Sequence, residues 1–220
     1  MAGCFITFEG VDGCGKSTQA RLLADRLVGE GHQVILTREP GGTPLGEKIR
    51  TLLLDPHNGE MVSECEVLLY LAARAQHVHE KIMQHLSSGA IVICDRFQEA
   101  TFAYQGYGRG VDREMLGAMN LFASGGLAPD LTFIFDIPIE TAFKRLESMN
   151  RAKDRLESEG KCFFERIRQG YCTLSAEAPE RIVMLDGTLS PDLIAKKVFG
   201  AVVKKMDVPF YGADTKEVHD

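Results

Sequence analysis

The run Gly10-Val11-Asp12-Gly13-Cys14-Gly15-Lys16-Ser17-Thr18 constrains this chain more than any other feature of it. It fits G-x-x-x-x-G-K-[ST], a pattern in which glycines let the backbone curl until successive N–H groups point at phosphate oxygens. An apolar segment, residues 4–9, leads into the run, and Leu22, Leu23 and Leu27 follow it at helical spacing. A strand entering the turn and a helix leaving it put the loop at the positive end of the helix dipole, where anions are held. The whole run is therefore expected to bind a nucleoside triphosphate. Lys16 is expected at the β- and γ-phosphates, and the Ser17 hydroxyl on Mg2+.

Four more short apolar runs, at residues 33–37, 90–95, 131–136 and 182–186, read as buried strands like residues 4–9. Helical patterns separate them at 16–28, 63–86, 113–122, 139–149, 162–176 and 191–204, the second opening on Ser63-x-x-Glu66, a capping-box pattern. Near-continuous apolar strands alternating with helices predict an α/β fold: a five-stranded parallel sheet flanked by helices on both faces. Residues 1–206 read as one domain. A charged stretch at 145–161 breaks the pattern, and 207–220 reads as a polar tail.

Composition narrows the partners. A net charge of −6 with interspersed signs is the wrong footprint for a protein that coats nucleic acid. The cysteines include no C-x-x-C pair, which speaks against a zinc or redox site. No apolar run approaches membrane-spanning length, and the first residues carry no basic leader. The expectation is a cytoplasmic chain without a membrane partner.

A phosphate loop serves switches, motors and small kinases alike. A GTPase switch would carry N-K-x-D, but Asn58, Asn120 and Asn150 are each followed by other residues, and no strand ends in paired acids as in motor ATPases. Instead Asp95-Arg96-Phe97 closes the third apolar run. Strand C-termini line the ligand crevice of open α/β sheets, so Asp95 is a candidate second group for the magnesium shell. The planar donor fork of Arg96 suits an acceptor phosphate.

With these residues in view, the chain resembles the thymidylate kinase (dTMP kinase) family. The resemblance is carried by Phe8-Glu9-Gly10-Val11-Asp12-Gly13, Thr37-Arg38-Glu39-Pro40-Gly41-Gly42-Thr43, Ala72-Ala73-Arg74, Asp95-Arg96-Phe97 and Ala103-Tyr104-Gln105-Gly106, in the family's order and spacing. It implies a P-loop nucleoside-monophosphate-kinase fold, transfer of a phosphoryl group from ATP to dTMP, and a homodimer. It also implies roles. Arg96, helped by Arg38, would take the acceptor phosphate, with Pro40 beside it in the same motif. Asp12 would accept from the deoxyribose 3′-OH. Tyr70 and Arg74, four residues apart on one helix face, would stack on and read the thymine. Thr101 and Gln105 match positions that bond the base edge, Tyr104 a ring under the sugar, and Arg50 an arginine near the base.

Some members of the family carry an arginine in the phosphate loop next to the aspartate, where this chain has Gly13. Members without it carry basic residues in a lid, which the 145–161 stretch resembles, and this implies Arg151 and Arg155 as transition-state arginines. Cys14 stands beside Lys16 at a helix start, an environment that stabilises thiolates, so an oxidant-sensitive thiol is expected there. The alternatives are another nucleoside-monophosphate or deoxynucleoside kinase on the same fold, or a binding module that senses nucleotide without turnover.

Overall fold

The computed structural model describes residues 3–149 and 152–206. The strands are β1 (Cys4–Glu9), β2 (Val34–Arg38), β3 (Ile91–Asp95), β4 (Leu131–Asp136) and β5 (Ile182–Asp186). They pair in parallel in the order β2-β3-β1-β4-β5. The predicted five-stranded parallel sheet is thus the one observed, with every strand within a residue of its expected place. β1 is central and almost wholly buried, and Phe8 packs on Phe133 and Phe135 at ring-centroid distances of 5.3 and 5.8 Å. Burying one such ring stabilises the fold by about 1.5–3 kcal/mol. The same packing anchors the strand that delivers the phosphate loop.

The helices are α1 (Lys16–Gly29), α2 (Pro44–Leu54), α3 (Ser63–His77), α4 (Met83–Ser87), α5 (Gln98–Thr101), α6 (Arg113–Ser124), α7 (Ile139–Ser148), α8 (Lys161–Glu177) and α9 (Pro191–Met206). The helix expected over 63–86 is continuous but loosens into a π turn at Val78–Ile82 between α3 and α4. Its expected capping box does not form. Val62 is the N-cap, no side chain caps the end, and Glu66 is buried with arginine partners instead. Charge-assisted bonds to arginine outweigh a single cap. α5 likewise runs into a π turn, Phe102–Gly108, and such turns recur at functional sites because they re-aim side chains.

Candidate active site

The phosphate loop joins β1 to α1. Gly10 and Gly13 hold φ of 133° and 82°, a left-handed region that costs other residues dearly. A Cβ on Gly13 would also meet the Ala142 carbonyl oxygen at 2.6 Å. With the backbone as it stands here, no side chain fits at Gly13 without a shift. A cavity of about 1,230 Å³ opens over the loop, lined by Asp12 through Thr18, by Arg145, Leu146 and Met149, and by Gly187, Leu189 and Ile194 on the far side. Gly10 and Val11 do not line it; Val11 is buried and Gly10 sits against Phe135, so both shape the loop from beneath. Arg145 was missed in the sequence as a site residue. It donates to the Gly13 and Gly187 carbonyls at 3.3 and 3.1 Å, bridging the loop to the segment after β5.

Ser17 Oγ donates to Asp95 Oδ2. The other carboxylate oxygen, Asp95 Oδ1, is buried with no hydrogen-bond partner. Lys16 is also buried and donates to Asp12 Oδ1 at 2.9 Å. Cys14 is buried, and desolvation pushes its thiol above the ordinary range despite the nearby Lys16. The expectation of a reactive thiolate is therefore corrected: dehydration of the sulfur outweighs the helix end and the lysine.

A second cavity of about 540 Å³ lies against the first. Asp12, Pro40, Arg50, Tyr70, Arg74, Arg96, Thr101, Tyr104 and Gln105 all line it, brought together from β1, β2, β3, α2, α3 and the π turn after α5. Arg38 is the exception. It is half exposed and paired with Glu47 at 2.9 Å, outside the cavity. Phe97, Asp154 and Leu156 join the lining without having been foreseen.

Asp12 and Arg96 form the junction. Asp12 lines both cavities. Arg96 sits at φ 74°, rare for a residue with a side chain and typical of functional strain. Its Nη1 donates to the Gly10 carbonyl (2.9 Å) and Tyr171 Oη (3.1 Å), and its Nη2 to Asp12 Oδ1 (2.8 Å) and Tyr104 Oη (2.9 Å). Burial opposes ionisation of Asp12, but the charges of Arg96 and Lys16 outweigh it and hold the carboxyl well below the usual range. Beneath them, buried Glu9 accepts from the Phe97 N–H at 2.7 Å and from Tyr171 Oη at 2.9 Å, which fixes the strand end that carries Arg96. Burial and the charge of Glu99 push the Glu9 carboxyl up.

At the far end of the cavity Arg74 is almost wholly buried. Its Nε donates to Glu39 at 2.8 Å and its Nη1 to Thr101 at 2.9 Å and to Asn120. His77 completes the cluster, sharing hydrogen bonds with Glu39 (3.0 Å) and Thr37 (2.8 Å). A buried ion pair roughly breaks even against apolar packing, so stability alone does not explain it. A rigid guanidinium at a cavity wall does.

A family model for thymidylate kinase matches residues 8–198, nearly the whole chain. The chain belongs to the thymidylate kinase family. It is 46% identical over 210 residues to a thymidylate kinase of Trichlorobacter lovleyi, covering 93% of this chain and 99% of that one. The identity to a thymidylate kinase of Pseudomonas putida is 48% over 198 residues, covering 90% and 94%. The crystal structure of a thymidylate kinase from Ehrlichia chaffeensis superposes with a TM-score of 0.74 at 34% identity, over 92% of this chain and 99% of that one. The fold is accordingly the P-loop nucleoside-monophosphate-kinase fold. As a thymidylate kinase the chain is a phosphotransferase that uses ATP to convert dTMP to dTDP.

The lid arginines expected from the family fall differently. Arg151 lies outside the described residues. Arg155 is buried away from the phosphate loop, ion-paired with Glu66 at 2.6 Å and donating from Nε to the Leu53 carbonyl at 2.8 Å. No group of three or more metal-ligating side chains occurs among the described residues, and no described helix is long and apolar enough to cross a membrane.

Proposed function

We propose that the cavity over the phosphate loop holds ATP and the adjoining cavity holds dTMP, with Asp12 and Arg96 where the two phosphate chains meet. The observation that carries this division is that Asp12 lines both cavities while Arg96, beside it, lines only the second. The loop amides, Lys16, Ser17 and Thr18 take the triphosphate, and Lys16 exchanges its Asp12 partner for phosphate oxygens. Arg145, with Leu146, Met149, Leu189 and Ile194 of the same lining, takes the adenosine. In the second cavity Arg96 faces the acceptor phosphate, Asp12 accepts from the 3′-OH, Tyr104 packs under the sugar and Arg50 stands near the base. Tyr70, Phe97, Arg74, Thr101 and Gln105 surround the base.

Ser17 and Asp95 fit a magnesium ion that arrives with ATP, because the buried Asp95 Oδ1 has no protein partner. Such an ion neutralises charge on the β- and γ-phosphates. Arg151, in the lid stretch 145–161 of a single kinase domain ending near residue 206, supplies the positive charge that Gly13 leaves out. Six unpaired cysteines suit a reducing, cytoplasmic setting. Initial rates with Mg-ATP and a panel of dTMP, dUMP, dCMP and AMP test the assignment. dTMP is expected to have the highest kcat/KM, and equal or faster turnover of dCMP or AMP would refute it.

The reading includes a homodimer. α3 and α6 present Leu68, Leu121 and Phe122 to solvent, Phe122 with 89% of its surface exposed. On the same face an apolar cleft of about 740 Å³ is lined by Leu71, Ala72, Ala75, Met119 and Ala123. A protruding ring beside a receiving cleft is self-complementary, the requirement of a two-fold interface. Sedimentation should find the parent dimeric and Phe122→Glu monomeric. A monomeric parent would contradict the proposal.

A further inference from the structure

Glu66 occupies a position that neither helix capping nor phosphoryl transfer explains. It lies on α3, one and two turns before Tyr70 and Arg74, and is 1% exposed. Its Oε1 accepts from Gln105 Nε2 at 2.9 Å and from Arg109 Nε at 3.4 Å. Its Oε2 faces Arg109 Nη2 at 3.2 Å and Arg155 Nη2 at 2.6 Å. Burial works against its charge, but Gln105, Arg109 and Arg155 together outweigh burial and keep the carboxyl ionised.

An ionised carboxylate can only accept hydrogen bonds. The amide of Gln105 must therefore turn its NH2 group to Glu66 and leave its carbonyl oxygen for the cavity that Gln105 lines. The neighbouring Arg74 offers only donors to that cavity, with Nε and Nη1 committed to Glu39, Thr101 and Asn120 and Nη2 left over. The far wall thus presents one fixed acceptor next to one fixed donor. A base with an N–H beside a carbonyl oxygen matches that pair, as thymine and uracil do at N3 and O4. Cytosine reverses both groups, placing a lone pair at N3 and an NH2 at C4. A site whose buried groups would be left opposed rejects such an analogue strongly.

We propose that Glu66 is a positioning residue for base selection, which fixes the amide of Gln105 so that its carbonyl oxygen accepts from N3–H of the bound pyrimidine. The inference rests on the placement of the base in this cavity. Because Arg155 lies within the lid stretch 145–161, the same carboxylate ties the lid to the wall that reads the base.

The test compares kcat/KM for dTMP, dUMP and dCMP in the parent and in Glu66→Gln, which keeps the shape and one acceptor oxygen but replaces the other by an NH2 donor and so lets Gln105 turn over. The dTMP/dCMP ratio is expected to fall roughly tenfold, the size of one lost discriminating hydrogen bond. The dTMP/dUMP ratio is expected to stay constant, since both bases carry N3–H. Gln105→Met should lower the same dTMP/dCMP ratio, and the double variant should lower it no further. Equal losses on all three substrates, or additive effects in the double variant, would overturn the role of Glu66. If Gln105→Met lowers the ratio and Glu66→Gln does not, the base placement stands and this inference fails. If neither variant changes the ratio, the placement of the base fails as well. The unaltered protein provides an arm independent of folding: dTMP methylated at N3 should compete at least roughly tenfold less well than dTMP. Equal competition would overturn the proposal.

Discussion

Arg96→Ala is expected to lower kcat/KM for dTMP by roughly a thousandfold, more than any other substitution on the acceptor side. In the proposed site two anions must approach each other, and the guanidinium is the charge that one of them would meet. It is also the knot of the junction, bound to Gly10, Asp12, Tyr104 and Tyr171 at once. Removing it leaves Asp12 with Lys16 as its cationic partner, which then competes with ATP for that lysine. Arg96→Lys should recover little and remain roughly a hundredfold impaired, because a single ammonium cannot reproduce a fork that reaches four acceptors at once. Steady-state kinetics with both substrates varied checks this. Retention of most activity by the lysine variant would show that charge suffices and that the fork does not matter.

Lys16→Ala is expected to reduce kcat by roughly a thousandfold while dTMP binding changes little. Lys16 lines the cavity over the loop, and Asp12 accepts its hydrogen bond. Burial and Arg96 disfavour its charge, yet Asp12 and Asp95 more than restore it and raise its pKa. A buried ammonium stabilised by carboxylates is poised to pass to a more anionic ligand when one arrives. The contrast with the lid is informative. Under the proposed role, in which its charge serves the transferring group, Arg151→Ala should lower kcat more than it raises KM for ATP. Rapid-quench measurements of one turnover, with separate titrations of dTMP, distinguish these effects. A Lys16→Ala protein that turns over normally would remove the loop from the mechanism.

The parts of the site legible in the sequence are those that a short stretch of chain determines. The phosphate loop needs a strand, glycines and a helix start in immediate succession, so Gly10 to Thr18 could be read directly. Asp95 and Arg96 were legible because a parallel strand must deliver its C-terminal residues to the crevice, where Ser17 and Asp12 wait. The strands were legible for a related reason: burial on both faces demands unbroken apolar runs. The second cavity is different. The resemblance named most of its residues, and no local pattern could have brought together Pro40, Arg74 and Gln105.

What the sequence concealed depends on partners distant along the chain. Arg38 stands in the same motif as Pro40, but Glu47 one helix later draws it to the surface. Arg155 reads as a lid cation, yet Glu66 and the Leu53 carbonyl bury it. Arg145 reads as one charge among many until Gly13 and Gly187 converge on it. Glu66 itself fits a capping pattern, and only the fold shows that Gln105, Arg109 and Arg155 claim its carboxylate. Charged residues have no intrinsic place in a fold, so their neighbours decide whether they are solvent, structure or site.

The central claim is that the phosphoryl group passes directly from one cavity to the other across the Asp12–Arg96 junction. The configuration of the transferred phosphorus tests it, using ATP made chiral at its γ-phosphorus with oxygen isotopes and dTMP as acceptor. A single in-line displacement inverts that centre, and inversion is the result the two adjoining cavities predict. Net retention would require a phosphorylated protein group between two displacements and would contradict the account.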